Sequence, residues 1–287
     1  MWIFYAVGSA FFAGITSILA KCGIKQTDSN VAMAVRTVVI LIFAWLIVLL
    51  SGAWNGISDI NGKAVLFLFL SGIATGASWL CYFRALQVGD INKVVPMDKS
   101  STVLTILLAL IFLHEGLSAE KIAAMIAITA GIFLMIERKK TTNQDNEKKS
   151  WFLYAAGSAF FASLTAVLGK VGITGINSNL GTAIRTTVVL VMAWLTVAIT
   201  GKMGNVRKIS LKELRYICYS GIATGASWLC YYRALSEGPA SVVVPIDKLS
   251  ILFTVVFSYF VFGEKLTKKE GLGLLLLITG TVIMALV

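Results

Sequence analysis

The sequence predicts an all-α membrane protein, with ten transmembrane helices arranged as two inverted five-helix repeats. Three observations lead there: the composition, a duplication running the length of the chain, and basic loops that change ends between the two copies. Of 287 residues, 57% are hydrophobic and only 14% charged, whereas a soluble domain carries about a quarter charged residues. A large core does not explain the deficit, because a soluble domain still has to cover itself with polar surface. The apolar residues also come in blocks, and a bilayer core takes about 20 mostly apolar residues per spanning helix. Their runs do not alternate every second residue, which favours helices over barrel strands.

The duplication is visible by eye. Residues 2–24 read WIFYAVGSAFFAGITSILAKCGI, and residues 151–173 read WFLYAAGSAFFASLTAVLGKVGI. Residues 71–86, SGIATGASWLCYFRAL, return at 220–235 as SGIATGASWLCYYRAL with one difference. Both pairs are 149 residues apart, as are Arg36/Arg185, Trp45/Trp194, Pro96/Pro245, Asp98/Asp247, Lys99/Lys248 and Glu115/Glu264. One offset from end to end means no net insertion. The chain therefore divides into a first repeat over 1–138, a basic linker over 139–149 and a second repeat over 150–287.

The first copy supplies spans at roughly 2–22, 31–51, 64–87, 94–113 and 118–137, and the second at roughly 151–171, 180–200, 213–236, 243–262 and 267–286. The first span starts at Trp2 with no basic stretch or obvious cleavage site, so it reads as a retained helix and not a signal peptide. The third spans carry Gly72-x-x-x-Gly76 and Gly221-x-x-x-Gly225, small faces that let helices approach closely in lipid. Pro96 and Pro245 fall early in the fourth spans, either as ordinary helix-start prolines or as hinges whose freed carbonyls bend the helix beside the cavity. Glu115 and Glu264 close those helices, in a capping role more than a proton-coupling one, and His114 reads as a loop residue. Two later helices begin with capping boxes, Ser210-Leu-Lys-Glu213 and Thr267-Lys-Lys-Glu270.

Five spans per copy is an odd number, so the second copy enters the membrane with opposite polarity. Loop charge tests this independently. Lys25 and Lys93 in the first and third loops of copy one have Thr174 and Val242 as counterparts, while Lys202, Arg207, Lys208, Lys212 and Arg215 crowd the second loop of copy two. The basic ends have swapped, as the positive-inside rule requires of an inverted pair. The linker, with Arg138, Lys139, Lys140, Lys148 and Lys149 at and beside it, joins the basic side. The expected location is the plasma or inner membrane, multi-pass, with the linker cytoplasmic and both termini outside. The net charge of +11 thus reports orientation and gives no reason to expect nucleic acid.

Two halves with segments such as YFRALQVGDINKVVPMDKSSTVLTILLALIFLHEGLS and YYRALSEGPASVVVPIDKLSILFTVVFSYFVFGEKLT resemble the EamA branch of the drug/metabolite transporter superfamily. The family pattern ends helix three with aromatic-x-x-Ala-Leu, opens the turn with Gly, places Pro early in helix four and closes that helix with Glu. The resemblance covers the chain twice. It implies a ten-helix bundle around a central cavity with alternating access between inverted halves, and members move very different metabolites. Many relatives have apolar or hydroxyl residues where this chain has Asp98-Lys99 and Asp247-Lys248.

Charged side chains within spans cost about 2.5–3.5 kcal/mol each at a helix centre, so each needs a reason. Arg36, Asp98 and Lys99, with Arg185, Asp247 and Lys248 as their counterparts, form two ionic clusters, one toward each mouth. They read equally as gates or solute selectors and as static helix pairs; Lys21 and Arg84 read first as snorkelling side chains. Adjacent Asp and Lys point about 100° apart on a helix and need partners elsewhere. Trp79, Trp228, Tyr82 and Tyr231 stand as cavity walls or interfacial anchors, the tryptophans leaning toward the cavity. Asp98 and Asp247 are the candidates for a coupling proton.

The cysteines Cys22, Cys81, Cys218 and Cys230 lack CxxC spacing and read as small hydrophobes, with no metal site expected. No HExxH, P-loop, GxSxG or EF-hand pattern occurs, so neither an enzyme nor a cofactor is expected. The reading is a secondary transporter, in the exporter manner, of small metabolites such as amino acids or organic acids, the basic excess favouring an anionic or zwitterionic solute. The alternative is a flippase for a lipid-linked or hydrophobic metabolite. A non-transporting receptor or assembly protein explains the inverted duplication poorly. One chain holds the complete pair, so a monomer suffices and a dimer is left open.

Overall fold

With no water in the hydrocarbon core to satisfy backbone groups, each apolar block is driven to bond its own N–H and C=O groups as a helix. A computed structural model describes residues 1–23, 26–58, 60–88, 94, 97–116, 118–135, 150–263 and 267–287. Their α-helices are α1 (Trp2–Gly23), α2 (Ser29–Leu50), α3 (Gly62–Val88), α4 (Ser101–Phe112), α5 (Ala119–Met135), α6 (Trp151–Ile173), α7 (Ser178–Ile199), α8 (Leu211–Glu237), α9 (Ala240–Lys248), α10 (Ser250–Phe262) and α11 (Lys268–Leu286). Pro96, Glu264 and the linker 139–149 lie outside the described residues.

Among the described residues, seven stretches are long and apolar enough to cross a membrane: α1, α2, α3, α6, α7, the α9–α10 stretch and α11. Of the rest, α8 has 27 residues but carries Lys212, Glu213, Arg215, Arg233 and Glu237, while the described parts of α4 and α5 have 12 and 17 residues. The protein is an all-helical integral membrane protein. Its outward faces agree, since Phe4 and Phe260 are 80% and 78% exposed, an arrangement that belongs against lipid.

The expected span over 243–262 stands as one apolar stretch, Ala240–Val261, but it is built from two helices, α9 and α10, that part at Leu249. Leu249 donates its N–H to Ile246 at 3.0 Å in a tight turn. Pro245 sits buried inside α9, where its missing N–H already deprives the Ser241 carbonyl of a rung. Ser100, the counterpart of Leu249, likewise stands between helical Met97–Lys99 and α4. Both copies therefore interrupt the chain directly after Asp-Lys.

Helix starts are fixed by side-chain caps. Asp28 accepts from the Asn30 N–H at 2.9 Å and its counterpart Asn177 from the Asn179 N–H at 3.0 Å. Thr267 and Glu270 form the expected reciprocal capping box. The other expected box is half made: Ser210 accepts from the Glu213 N–H at 3.3 Å, but the Glu213 carboxylate turns to the N–H groups of Gln26 and Thr27, at 2.8 and 3.0 Å. Three donors converge there, counting the Thr27 hydroxyl.

Packing between the copies is reciprocal. α1 lies along α8 as α6 lies along α3, α2 crosses α8 as α7 crosses α3, and the pairs α2·α7 and α5·α11 meet each other. The glycines of the repeated motif are where α3 and α8 touch α7 and α2. A Cβ on Gly72 would lie 2.7 Å from Val188 Cβ, and one on Gly221 2.8 Å from Val39 Cβ. Small residues replace lipid with close helix contact. Asn30 reaches Thr200 at 3.5 Å and Asn179 reaches Ser51 at 3.4 Å, so α2 and α7 run antiparallel. Lys202 pairs with Asp28 at 2.6 Å, joining the second loop of copy two to the first loop of copy one on one face.

Candidate functional site

A cavity of about 360 Å³ opens where the two copies meet, near the lower end of the roughly 300–1,000 Å³ range of small-molecule sites. Hydroxyls line it in matched pairs, Thr16/Thr165, Thr75/Thr224 and Ser78/Ser227, each pair one residue from either copy. Trp79 and Trp228 also line it. Beyond these pairs the lining is lopsided: Arg185, Tyr231, Tyr232, Asp247 and Lys248 all come from the second copy.

Arg185 is the most enclosed of the charged groups, only 3% exposed. Its Nε donates to Ser71 Oγ at 3.1 Å and its Nη2 to Thr75 Oγ1 at 2.6 Å, both on α3. The guanidinium carbon lies 5.2 Å from the Trp228 ring centre and 4.8 Å from that of Tyr232, so two π faces replace part of its lost hydration. Among the described residues no carboxylate pairs with it, and its Nη1 is buried without a hydrogen-bond partner. A buried guanidinium in this state has unused capacity for an anion.

The aspartates are held alike. Ser9 donates to Asp247 at 2.7 Å and Ser158 to Asp98 at 2.6 Å. Behind them Ser227 bonds the Ser9 carbonyl and Ser78 the Ser158 carbonyl, both at 3.0 Å. Each Asp is thus anchored by the first helix of the other copy. Lys248 Nζ stands 3.9 Å from Asp247, a loose pairing. Ser78 and Ser227 both line the central cavity, so the two aspartate anchors back onto one cavity.

Other sequence candidates fall elsewhere. Tyr82 packs with Leu86, Met97 and Trp151 around Ala85, Val94 and Ala155, away from the cavity lining. Arg36 is half-buried, makes no hydrogen bond or ion pair among the described residues, and has an enclosed Nε without a partner. Glu115 caps the start of α9 in the other copy, accepting from Ala240 and Ser241 at 2.6 and 2.8 Å. Lys170, the counterpart of Lys21, donates to the carbonyls of Leu235 and Gly238 at the end of α8, the second at 2.7 Å.

Sequence reading missed the hydroxyl lining and Tyr232. A signal existed, because Ser71, Thr75, Ser78 and Tyr82 repeat at three- and four-residue steps, one face of a helix, inside the most similar segment of the two copies.

A family model described as the EamA-like transporter family matches residues 1–137 and again 149–286. A Sinorhizobium protein described as an uncharacterized transporter in the cobO 3' region is 46% identical over 134 residues, covering 47% of this chain and 95% of that one. An uncharacterized transporter of Methanothermobacter thermautotrophicus is 25% identical over 189 residues, covering 62% of this chain and 52% of its own. One crystal structure superposes with a TM-score of 0.79 at 15% identity, over 98% of this chain and 95% of the other, a likeness of fold.

Proposed function

The chain belongs to the EamA-like transporter family, and we propose that it is a secondary transporter, acting as an exporter, of small anionic or zwitterionic metabolites such as amino acids or organic acids. It is a transporter of the drug/metabolite superfamily and not an enzyme. In this reading residues 1–138 and 150–287 are inverted halves of five spans each, joined by a cytoplasmic linker over 139–149, with both termini outside a plasma or inner membrane. Alternating access moves the solute between them.

The observation that carries the reading is Arg185: a cation enclosed at the cavity, held by neutral hydroxyls and aromatic rings, with no carboxylate among the described residues on it. The antiparallel contacts of α2 with α7 and the matched cavity hydroxyls support inverted halves. The threonines, serines and charges of the lining suit a polar solute better than a lipid-linked one. Asp98 and Asp247, each with one serine donor, are the proposed proton-coupling sites, and the breaks after Asp-Lys supply the discontinuous helices that transporters place at solute sites.

The test is solute uptake by proteoliposomes under an imposed pH gradient, using a panel of amino acids, organic acids and uncharged metabolites. Transport restricted to solutes with an anionic group is expected. Arg185→Lys keeps the charge but loses the fork, and is expected to weaken apparent affinity by roughly 10–100-fold. Equal transport of neutral solutes, or unchanged affinity in that variant, overturns the anion assignment. The double variant Asp98→Asn/Asp247→Asn is expected to end uphill transport; full retention removes both from coupling.

A further inference from the structure

The two copies surround their arginines with the same sequence, SGIATGASWL at 71–80 and again at 220–229. The structure treats them differently. Arg185 is clamped on Ser71 and Thr75 across the α7·α3 contact. Arg36 lies on the matching α2·α8 contact, its carbonyl 3.3 Å from where a Cβ on Gly221 would stand, and is bonded to neither Ser220 nor Thr224. The serines differ accordingly: Ser71 donates across to the Thr165 carbonyl at 2.7 Å, whereas Ser220 turns back to Ile217 of its own helix at 2.9 Å.

The clamped arginine lies between two cavities. Along α6, Thr165 and Ala166 line the central cavity, while Lys170 and Thr174 line a second cavity of about 840 Å³. Ala166 and Lys170 are about 6 Å apart along the helix at 1.5 Å per residue. In that interval Gly169 receives the Tyr232 ring and the Ser71 hydroxyl, so closely that a Cβ there would lie 2.8 Å from the ring. Tyr232 in turn lies under Arg185. Arg185, Ser71 and Tyr232 thus form one layer separating the cavities.

We propose that Arg185 with Ser71 and Thr75, and Arg36 with Ser220 and Thr224, are alternating latches that set the side to which the central cavity opens. The structure holds the Arg185 latch closed and the Arg36 latch released; the opposite state exchanges them. The arginines and their hydroxyls are positioning residues for transport, and the inference rests on the transporter reading above. Identical sequence in unlike environments is what one device caught in one of two states requires, since packed interfaces are bistable and do not deform continuously.

The experiment uses the full chain in proteoliposomes, with the four native cysteines replaced by serine and Ala162→Cys, at the central cavity, as the reporter. A membrane-impermeant maleimide is applied to each side, with Thr174→Cys in the second cavity marking that side. Ser71→Ala/Thr75→Val is expected to raise reporter labelling from the second-cavity side about tenfold, as loss of hydrogen bonds to a charged group allows. Ser220→Ala/Thr224→Val, the same change in the other copy, is expected to lower it and to raise labelling from the opposite side. Shifts of the same sign in both pairs, or none, overturn the proposal. So does a shift in Ser71→Thr/Thr75→Ser, which keeps both hydroxyls and controls for misfolding. Labelling needs no solute, so sided shifts in a protein that transports nothing would sink the transport reading alone, while transport with equal labelling sinks the latches alone.

Discussion

Arg36 and Arg185 occupy equivalent positions in two copies with nearly the same neighbourhood, yet one is bonded and enclosed and the other half-buried, with no hydrogen bond or ion pair among the described residues. Their counterpart aspartates behave in the opposite manner, each taking one serine hydroxyl at nearly the same distance. The contrast separates two kinds of interaction. The Asp–Ser contacts join α1 to the α9 end of copy two and α6 to the residues before α4, and both are formed at once. The Arg contacts cross α3 and α8, and only one is formed. Equivalence of sequence gives equivalent structure where both copies can satisfy the same contact together, and not where closing one side leaves the other open.

Three measurements break or sharpen this comparison, beginning with the largest effect. Gly76 and Gly225 are equivalent, but a Cβ on Gly76 would run into Met192 Cβ, while one on Gly225 would meet Phe43 Cδ1 at 2.7 Å, the edge of a ring that can turn. Gly76→Ala is therefore expected to destabilise by about 1–3 kcal/mol, and Gly225→Ala by less than about 1 kcal/mol. Thermal unfolding in detergent reads the difference, and equal losses would remove the asymmetry from this contact.

Next come the two glutamates of the expected capping boxes. Glu213, whose counterpart is Ala64, accepts from Gln26 and Thr27 of the other copy, so Glu213→Ala is expected to cost about 1–3 kcal/mol through unmet donors. Glu270 caps only its own helix, and Glu270→Ala is expected to cost about 0.5–1 kcal/mol. The same melts compare them; a larger loss at Glu270 would mean that the cross-copy contact adds nothing.

The smallest effect is one of pH. Burial works against the Asp28 carboxylate, but the Lys202 hydrogen bond and charge, with the Asn30 and Val31 N–H groups, outweigh it and hold its pKa below the ordinary value. Stability from a depressed carboxylate is complete above its unfolded pKa of about 3.9 and is lost as pH falls through the lower folded value. Asn177 fills the equivalent cap without a titrating group. Acid should therefore loosen the first copy's cap alone, by no more than about 1 kcal/mol for so exposed a pair. Asp28→Asn should shrink the stability difference between pH 6 and pH 3.5; an unchanged difference would exclude the pair as its source.

The helices were legible because hydrophobic blocks and caps are local. Thr267 and Glu270 lie three residues apart in one chain segment, and their box forms as expected. Ser210 and Glu213 have the same spacing, but the carboxylate has better donors in Gln26 and Thr27, which lie far away in sequence. The break at Leu249 escaped notice for a related reason. A lone proline is compatible with both a helix start and a bend, and the apolar run of 240–261 continues through it.

By itself the sequence determined the all-helical membrane character, the duplication and the close approach at the repeated glycines, all of which follow from composition, periodicity or side-chain size. Only the tertiary structure decided that Tyr82 leaves the cavity while Tyr231 lines it, that the serine anchors of both aspartates back onto one cavity, and that Arg185 is clamped while Arg36 is not. The physical reason is shared by all three. Which face of a repeated helix looks into a cavity, and which of two equal cations finds its hydroxyls, depends on how one copy packs against the other, and the nearly identical segments 71–86 and 220–235 carry no term that distinguishes one from the other.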